Sequence, residues 1–198
     1  MTVETKKGQG LVYVFTGDGK GKTSAALGVA VRMLLLKKKV LWVSWYKDER
    51  WLVSERKLVN FFPNLKMFWM GSGFYLGGEK MRLVGDRGRV YDTDTLRGHK
   101  NAAESALNLV MLSLKKGLPG WGIPELVVMD EVVKAVADKL ISFKKLEAVV
   151  KIRAKTHLVL TGRDGKEQML KIADLVSNVK KVKHPFDKGE LAVRGLDY

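Results

Sequence analysis

Cysteine is absent from the 198 residues, which excludes disulfide scaffolds, thiolate nucleophiles, iron–sulfur clusters and cysteine-bound zinc. Histidine is nearly absent as well. His99, His157 and His184 stand far apart with no i, i+4 spacing, so imidazole metal centres are disfavoured. No window reaches the ~18 uninterrupted apolar residues of a membrane-spanning helix. Met1 to Gln9 is polar and basic with no apolar signal core, so the expected place of work is the cytoplasm. Acidic residues are scarce beside basic ones, 21 against 36, for a formal net charge of +15. Such a field attracts polyanions, and nucleic acid, phosphate-rich small molecules and anionic membranes all answer it. The lysines cluster at the ends of apolar runs (Lys37 to Lys39, Lys115 and Lys116, Lys144 and Lys145, Lys180 and Lys181). There they complement helix dipoles and favour solubility.

What is present suits a folded domain of ordinary size. At 46% hydrophobic and 29% charged residues the chain can bury a core, and its length fits one domain over residues 1–198. Apolar runs rich in β-branched residues predict strands at Leu11 to Phe15, Val40 to Tyr46, Leu65 to Met70, Leu126 to Asp130, His157 to Thr161 and Leu175 to Val182. Between them, Thr23 to Leu36, Leu52 to Phe61, Ala102 to Leu114, Phe143 to Ile152 and Glu167 to Ala173 read as helices. The alternation predicts an α/β fold: a mainly parallel central sheet with helices on both faces and ligands at the carboxyl ends of the strands. Residues 71–98 form an irregular, Gly-rich and charged segment with no sustained period, which is a mark of function or mobility.

The chemistry concentrates at strand ends. Thr16-Gly17-Asp18-Gly19-Lys20-Gly21-Lys22-Thr23-Ser24 lies between the first strand and the first helix. Its glycines let backbone N–H groups converge on phosphate oxygens, Lys22 bridges phosphates, and the Thr23 hydroxyl can hold Mg²⁺. Thr16 stands where the usual phosphate loop has its first glycine. The plain alternative is a glycine-rich turn that merely starts a helix. Asp130 and Glu131 end an apolar strand, where carboxylates beside a phosphate loop orient the metal directly or through water. Arg163, just past another strand, reads equally as a triphosphate clamp or a solvated loop residue. Arg32, a lone charge on an apolar helix, either snorkels or reaches for ligand. Lys47 and Glu55 read as surface residues on position alone. In Gly73-Phe74-Tyr75-Leu76, aromatic and apolar side chains either anchor the loop or cover a flat apolar ligand. No nucleophile and base stand together, so positioning and electrostatics around a leaving phosphate chain are the expected contribution.

These motifs, with Trp45-Tyr46-Lys47, Glu55, Val127 to Glu131 and the tail Lys183-His184-Pro185-Phe186-Asp187-Lys188-Gly189 through Gly195-Leu196-Asp197-Tyr198, resemble the phosphate-loop ATP:cob(I)alamin (corrinoid) adenosyltransferases over nearly the whole chain. The resemblance implies a RecA-like phosphate-loop fold and, as a rule, a homodimer. It implies transfer of the 5′-deoxyadenosyl group of ATP to the cobalt(I) of cob(I)alamin or a related corrinoid, such as cob(I)yrinic acid a,c-diamide, with release of triphosphate. Cobalt is the nucleophile, which fits the lack of one in the protein. Lys22, Phe74, Glu131 and Arg163 are then the expected catalytic residues, with Phe74 as a wedge that helps displace the lower axial ligand. Thr16 to Ser24, Arg32, Lys47, Glu55 and Arg163 would bind nucleotide, and Thr23, Asp130 and Glu131 would hold Mg²⁺ or Mn²⁺. Leu76 stands where the family tends to carry Trp, residues 79–100 form a longer and more basic segment, and only ten residues precede the first strand. A flavoprotein reductant is the expected partner, with no nucleic acid and no membrane span. Two other readings stay open: a RecA-like ATPase stimulated by nucleic acid, suggested by the +15 charge but lacking a recognition signature, and a nucleotide-dependent corrinoid carrier or sensor without turnover.

Overall fold

The computed structural model describes residues 8–73, 75–77, 79–84, 88–165 and 167–197. Phe74, Tyr198 and the start of the basic N-terminus therefore lie outside the described residues. Six strands, β1 (Val12–Thr16), β2 (Val40–Ser44), β3 (Leu65–Trp69), β6 (Leu126–Asp130), β7 (His157–Thr161) and β8 (Leu175–Asn178), form one sheet in the order β3-β2-β6-β7-β1-β8. Every pairing in it is parallel. A short antiparallel hairpin, β4 (Met81–Val84) with β5 (Gly88–Tyr91), stands apart within the Gly-rich segment.

Helices α1 (Lys22–Leu35), α2 (Leu96–Lys116), α3 (Val132–Ala137), α4 (Phe143–Ile152) and α5 (Glu167–Lys171) complete the fold. The period of two along each strand divides the core into two layers. Phe15, Val40, Trp42, Leu126, Val128 and Val159 pack with Ala26, Ala30 and Leu34 of α1 on one face. Val12, Val14, Leu41, Val43, Val127, Met129, Leu158 and Leu160 pack with α2, α3 and α4 on the other. Strands covered on both sides are apolar throughout, which is why they read as continuous runs rather than alternating ones. The fold is α/β and RecA-like, with the strand before the phosphate loop separated from the acidic strand by one other, β7. No helix among the described residues is long and apolar enough to cross a membrane.

Three expectations need correction. The stretch expected as a helix from Leu52 to Phe61 is a 3₁₀ helix over Ser54–Asn60 with no fully buried residue; with only Leu58 packed against the core it has little of the packing that stabilises α-helix. The helix expected from Ala102 starts at Leu96, because the Thr95 hydroxyl accepts the Gly98 N–H at 3.0 Å and caps it. The last strand ends at Asn178, where the chain turns along the phosphate loop: the Val179 N–H reaches the Thr16 carbonyl and the Val179 carbonyl takes the Gly19 N–H.

Candidate functional site

The carboxyl ends of β1, β2, β6 and β7 meet around one buried carboxylate. Asp130, the last residue of β6, is wholly buried. Its Oδ1 accepts the hydroxyls of Thr23 at 3.0 Å and Thr161 at 2.8 Å. Its Oδ2 pairs with Lys47 Nζ at 3.0 Å and accepts Ser44 Oγ at 3.4 Å. Lys47 also reaches Glu55 Oε1 at 3.2 Å, and both of their side chains are largely buried. The surface reading of Lys47 and Glu55 is therefore wrong. Tyr46, with φ 63°, bends the chain as it leaves β2, so that Lys47 turns back onto Asp130. Such a conformation is uncommon for a non-glycine residue and is held here by the surrounding contacts. Burial alone would lower the Lys47 pKa, but the attraction of Asp130 and Glu55 outweighs it and leaves the ammonium above its ordinary range.

The phosphate loop crosses in front of this cluster. Gly17 and Gly21 take φ values of 106° and 114°, which side chains bearing a Cβ adopt only with strain. Lys22 opens α1, is 6% exposed, and donates to the Gly19 carbonyl at 2.6 Å, folding over its own loop. Burial lowers its pKa and Glu131 partly offsets that. The first turn of α1 carries no acid and no side-chain cap, so its N–H groups are open to an anion. Thr16, in place of the first glycine, is still a strand residue and its Oγ1 accepts the Gly165 N–H at 3.1 Å. The threonine ties the loop to the turn after β7. Asp18 is exposed and accepts the Lys181 N–H at 3.2 Å, a bond that holds its carboxyl below the usual range. Lys20 pairs with Asp197.

Glu131 follows Asp130 in the left-handed region, φ 65° and ψ 14°, with its N–H on Thr161 Oγ1 at 2.9 Å. Burial, then the neighbouring Asp130, raise its pKa; Lys22, Lys47 and Arg163 pull the other way. Among the described residues its carboxylate accepts no hydrogen bond, whereas both Asp130 oxygens are taken by protein donors. Glu131 is thus the acid with capacity to spare. Thr23 gives its proton to Asp130, which leaves the hydroxyl lone pairs for a cation. One carboxylate, one hydroxyl and phosphate oxygens fit the small protein contribution that Mg²⁺ takes at such sites. No group of three His, Asp or Glu side chains suited to a metal occurs among the described residues.

Arg163 is exposed at the same edge, close enough to act on Lys22 and Glu131. Arg32 is not brought there: it is exposed on α1, nine residues beyond Thr23 and so roughly 13 Å along the helix axis. Ser24 faces a cleft of about 930 Å³ whose floor includes Thr23, Lys47 and Glu55. Leu27 and Val31 of α1, Trp51 to Val53 and Leu58 make its walls apolar, and the tail residues Ala192 and Leu196 close one side.

Around Phe74 the loop is pinned. Gly73 donates to the Tyr46 carbonyl at 2.8 Å. The Leu76 N–H reaches Asp92 Oδ2 at 2.9 Å, and Asp92 Oδ1 lies 2.8 Å from His99 Nε2. The Tyr75 ring packs on His99 at 5.1 Å, and Leu76 is buried. Tyr75 and Leu76 are therefore anchors rather than ligand covers. Thr161, Ser44 and Asp197 were not identified from sequence as site residues. Their partners are 31, 86 and 177 positions away, and no local signal marks such pairs.

Comparison with known proteins decides the family. The model of the ATP:corrinoid adenosyltransferases BtuR/CobO/CobP matches residues 8–198. The chain belongs to this family. A corrinoid adenosyltransferase of Escherichia coli K12 is 32% identical over 195 residues, covering 96% of this chain and 86% of that protein. Those of Salmonella typhimurium and a Sinorhizobium species are each 29% identical, covering 98% and 96% of this chain and 89% and 81% of theirs. The phosphate loop, the acidic strand end and the tail all lie inside the region matched to the adenosyltransferases.

Proposed function

We propose that this chain transfers the 5′-deoxyadenosyl group of ATP to the cobalt(I) of a corrinoid and releases triphosphate. The observation that carries the reading is the Thr23–Asp130–Lys47 cluster beside an uncapped helix N-terminus in a chain of this family. Cobalt(I) supplies both electrons of the new cobalt–carbon bond, and the bond from the ribose 5′ carbon to oxygen breaks toward the phosphates. The protein's task is to hold and neutralise that leaving group.

The amides of residues 16–24 and Lys22 take the phosphates, which requires the Lys22 ammonium to leave the Gly19 carbonyl. Arg163 adds positive charge from the end of β7. Thr23 and Glu131 would hold the divalent cation, Mg²⁺ or Mn²⁺, which would neutralise charge on the leaving phosphate chain. Asp130, saturated by its donors, acts through the Thr23 hydroxyl it orients. Lys47, itself held by Glu55, pairs with Asp130 and keeps it in place. Phe74, between the pinned Gly73 and Tyr75, covers the corrin. The family match favours adenosyl transfer over a nucleic-acid-stimulated ATPase. The same reading makes the protein a single-domain cytoplasmic enzyme, homodimeric, and served by a flavoprotein reductant; light scattering and reductase pull-down across a salt series check the last two.

The deciding experiment is anaerobic incubation with ATP, Mg²⁺ and chemically reduced cob(I)alamin, cob(I)inamide or cob(I)yrinic acid a,c-diamide. Adenosylated corrinoid and tripolyphosphate in equal amounts are expected. Orthophosphate release, or return of both ligands unchanged as for a carrier or sensor, overturns the reading.

A further inference from the structure

The chain beyond β8 runs along the outside of the phosphate loop and, past the Val179 N–H on Thr16, touches it at three further places among the described residues. The Gly19 N–H donates to the Val179 carbonyl at 2.8 Å, the Lys181 N–H donates to Asp18, and the Asp197 carboxylate pairs with Lys20. The first contact joins main chain to main chain, and the second joins a main-chain N–H to the Asp18 carboxylate. A Cβ on Gly17 or Gly19 would collide with the main chain of residues 179–180, so this approach depends on glycine.

The third contact is of another kind. It joins two partly exposed side chains, and the turn that carries Asp197 is largely self-contained. Val193 N–H donates to Asp197 Oδ2 at 2.6 Å, and the N–H groups of Leu196 and Asp197 return to the Val193 carbonyl. Among the described residues, Lys20 is the ionic or hydrogen-bonding partner of this turn outside itself. Leu196 in the same turn is 79% exposed, yet it lines the apolar cleft whose floor holds Thr23.

We propose that Asp197 is a stand-in for phosphate: in the empty protein its carboxylate holds Lys20, a polyphosphate takes its place, and the freed turn withdraws Leu196 from the cleft wall. The inference rests on the reading that the loop binds the triphosphate of ATP. A carboxylate and a phosphate oxygen are rival acceptors for one ammonium, and a negative charge beside an anion site opposes the incoming anion until it is displaced. Since the anion favours the released state of the turn, occupancy of the loop sets the shape of the cleft. Asp197 is thereby a positioning residue that links the two halves of the site.

The test uses inorganic tripolyphosphate with the full chain, Asp197→Asn and, as the conservative control, Asp197→Glu. Asp197→Asn should bind tripolyphosphate about two- to five-fold tighter, the range set by losing one partly exposed ion pair, while Asp197→Glu stays near wild type. Tripolyphosphate should speed tryptic cleavage after Arg194 in the wild type, and in Asp197→Asn that cleavage should already be fast without it. Unchanged or weaker binding by Asp197→Asn, or cleavage indifferent to tripolyphosphate, overturns the latch while leaving the adenosyltransferase reading intact. A wild-type protein that binds no tripolyphosphate removes both.

Discussion

Asp130 and Asp92 are both carboxylates that organise a part of the site, and they do so by opposite means. Asp130 is held by groups from α1, β7, the end of β2 and the bend after it, each brought to it by the register of the parallel sheet. Asp92 works locally: its carboxylate is met by Leu76, Asp94 and His99, 16, 2 and 7 residues away, and it fastens the loop that carries Phe74. The nucleotide end of the site is thus a product of the whole fold, whereas the aromatic end depends on a few close contacts. Damage to the first should spread, and damage to the second should stay where it is made.

The largest effect on chemistry belongs to the nucleotide end. Lys22→Ala should lower turnover by about 100- to 1,000-fold, as expected for losing a group aimed at developing charge, with little change in the melting temperature. A variant that retains activity would place the triphosphate elsewhere. Phe74→Ala should cut turnover more with complete cobalamin than with a corrinoid lacking the lower ligand, and equal losses would remove the wedge role. Thr161→Val strips one donor from Asp130 and the acceptor of the Glu131 N–H, at a cost of about 1–3 kcal/mol. Urea denaturation and turnover should both register it, because that hydroxyl belongs to the global network.

For Asp92→Asn we expect a loss of about 1–2 kcal/mol, accompanied by faster proteolysis confined to residues 71–98. Burial alone would raise the Asp92 pKa, but the Leu76 N–H and His99 hold it below its ordinary 3.8. Its contribution is therefore complete above that pH and is lost as the pH falls through the depressed folded value. The stability gap between wild type and variant should stay level from neutrality to about pH 4 and close below it; a gap that closes near neutrality would point to a different group. Smallest of all, Glu131→Gln removes a carboxylate that burial and Asp130 disfavour. The ligand-free protein should melt about 2 °C higher while losing affinity for ATP with Mg²⁺, a trade common at functional sites.

The same contrast explains what could be read in advance. Strands such as Leu126–Asp130 and His157–Thr161 were legible to the residue, because burial on both faces makes them continuous apolar runs between polar boundaries. The phosphate loop and the Asp130–Glu131 pair were legible because their chemistry is local. Helix α3 escaped notice: only Glu131 separates it from β6, and Val132, Val133 and Ala135 are buried, so it blends into the strand pattern. The role of Lys47 was hidden because its partners lie in a different strand and a 3₁₀ turn, and a lysine after a strand ordinarily faces water. Position alone also cannot divide labour between Asp130 and Glu131. That follows from counting donors around each oxygen.

The contact between Gly19 and Val179 spans 160 positions. The glycines that cradle phosphate are therefore separated along the chain from the strand and backbone that brace them, which come together only in the folded sheet. Long-range pairing of this kind forms late because the intervening loop must first be closed. The braced phosphate cradle is therefore complete only once the chain as far as Val179 has joined the sheet, which makes an intact cradle a reporter of the finished fold.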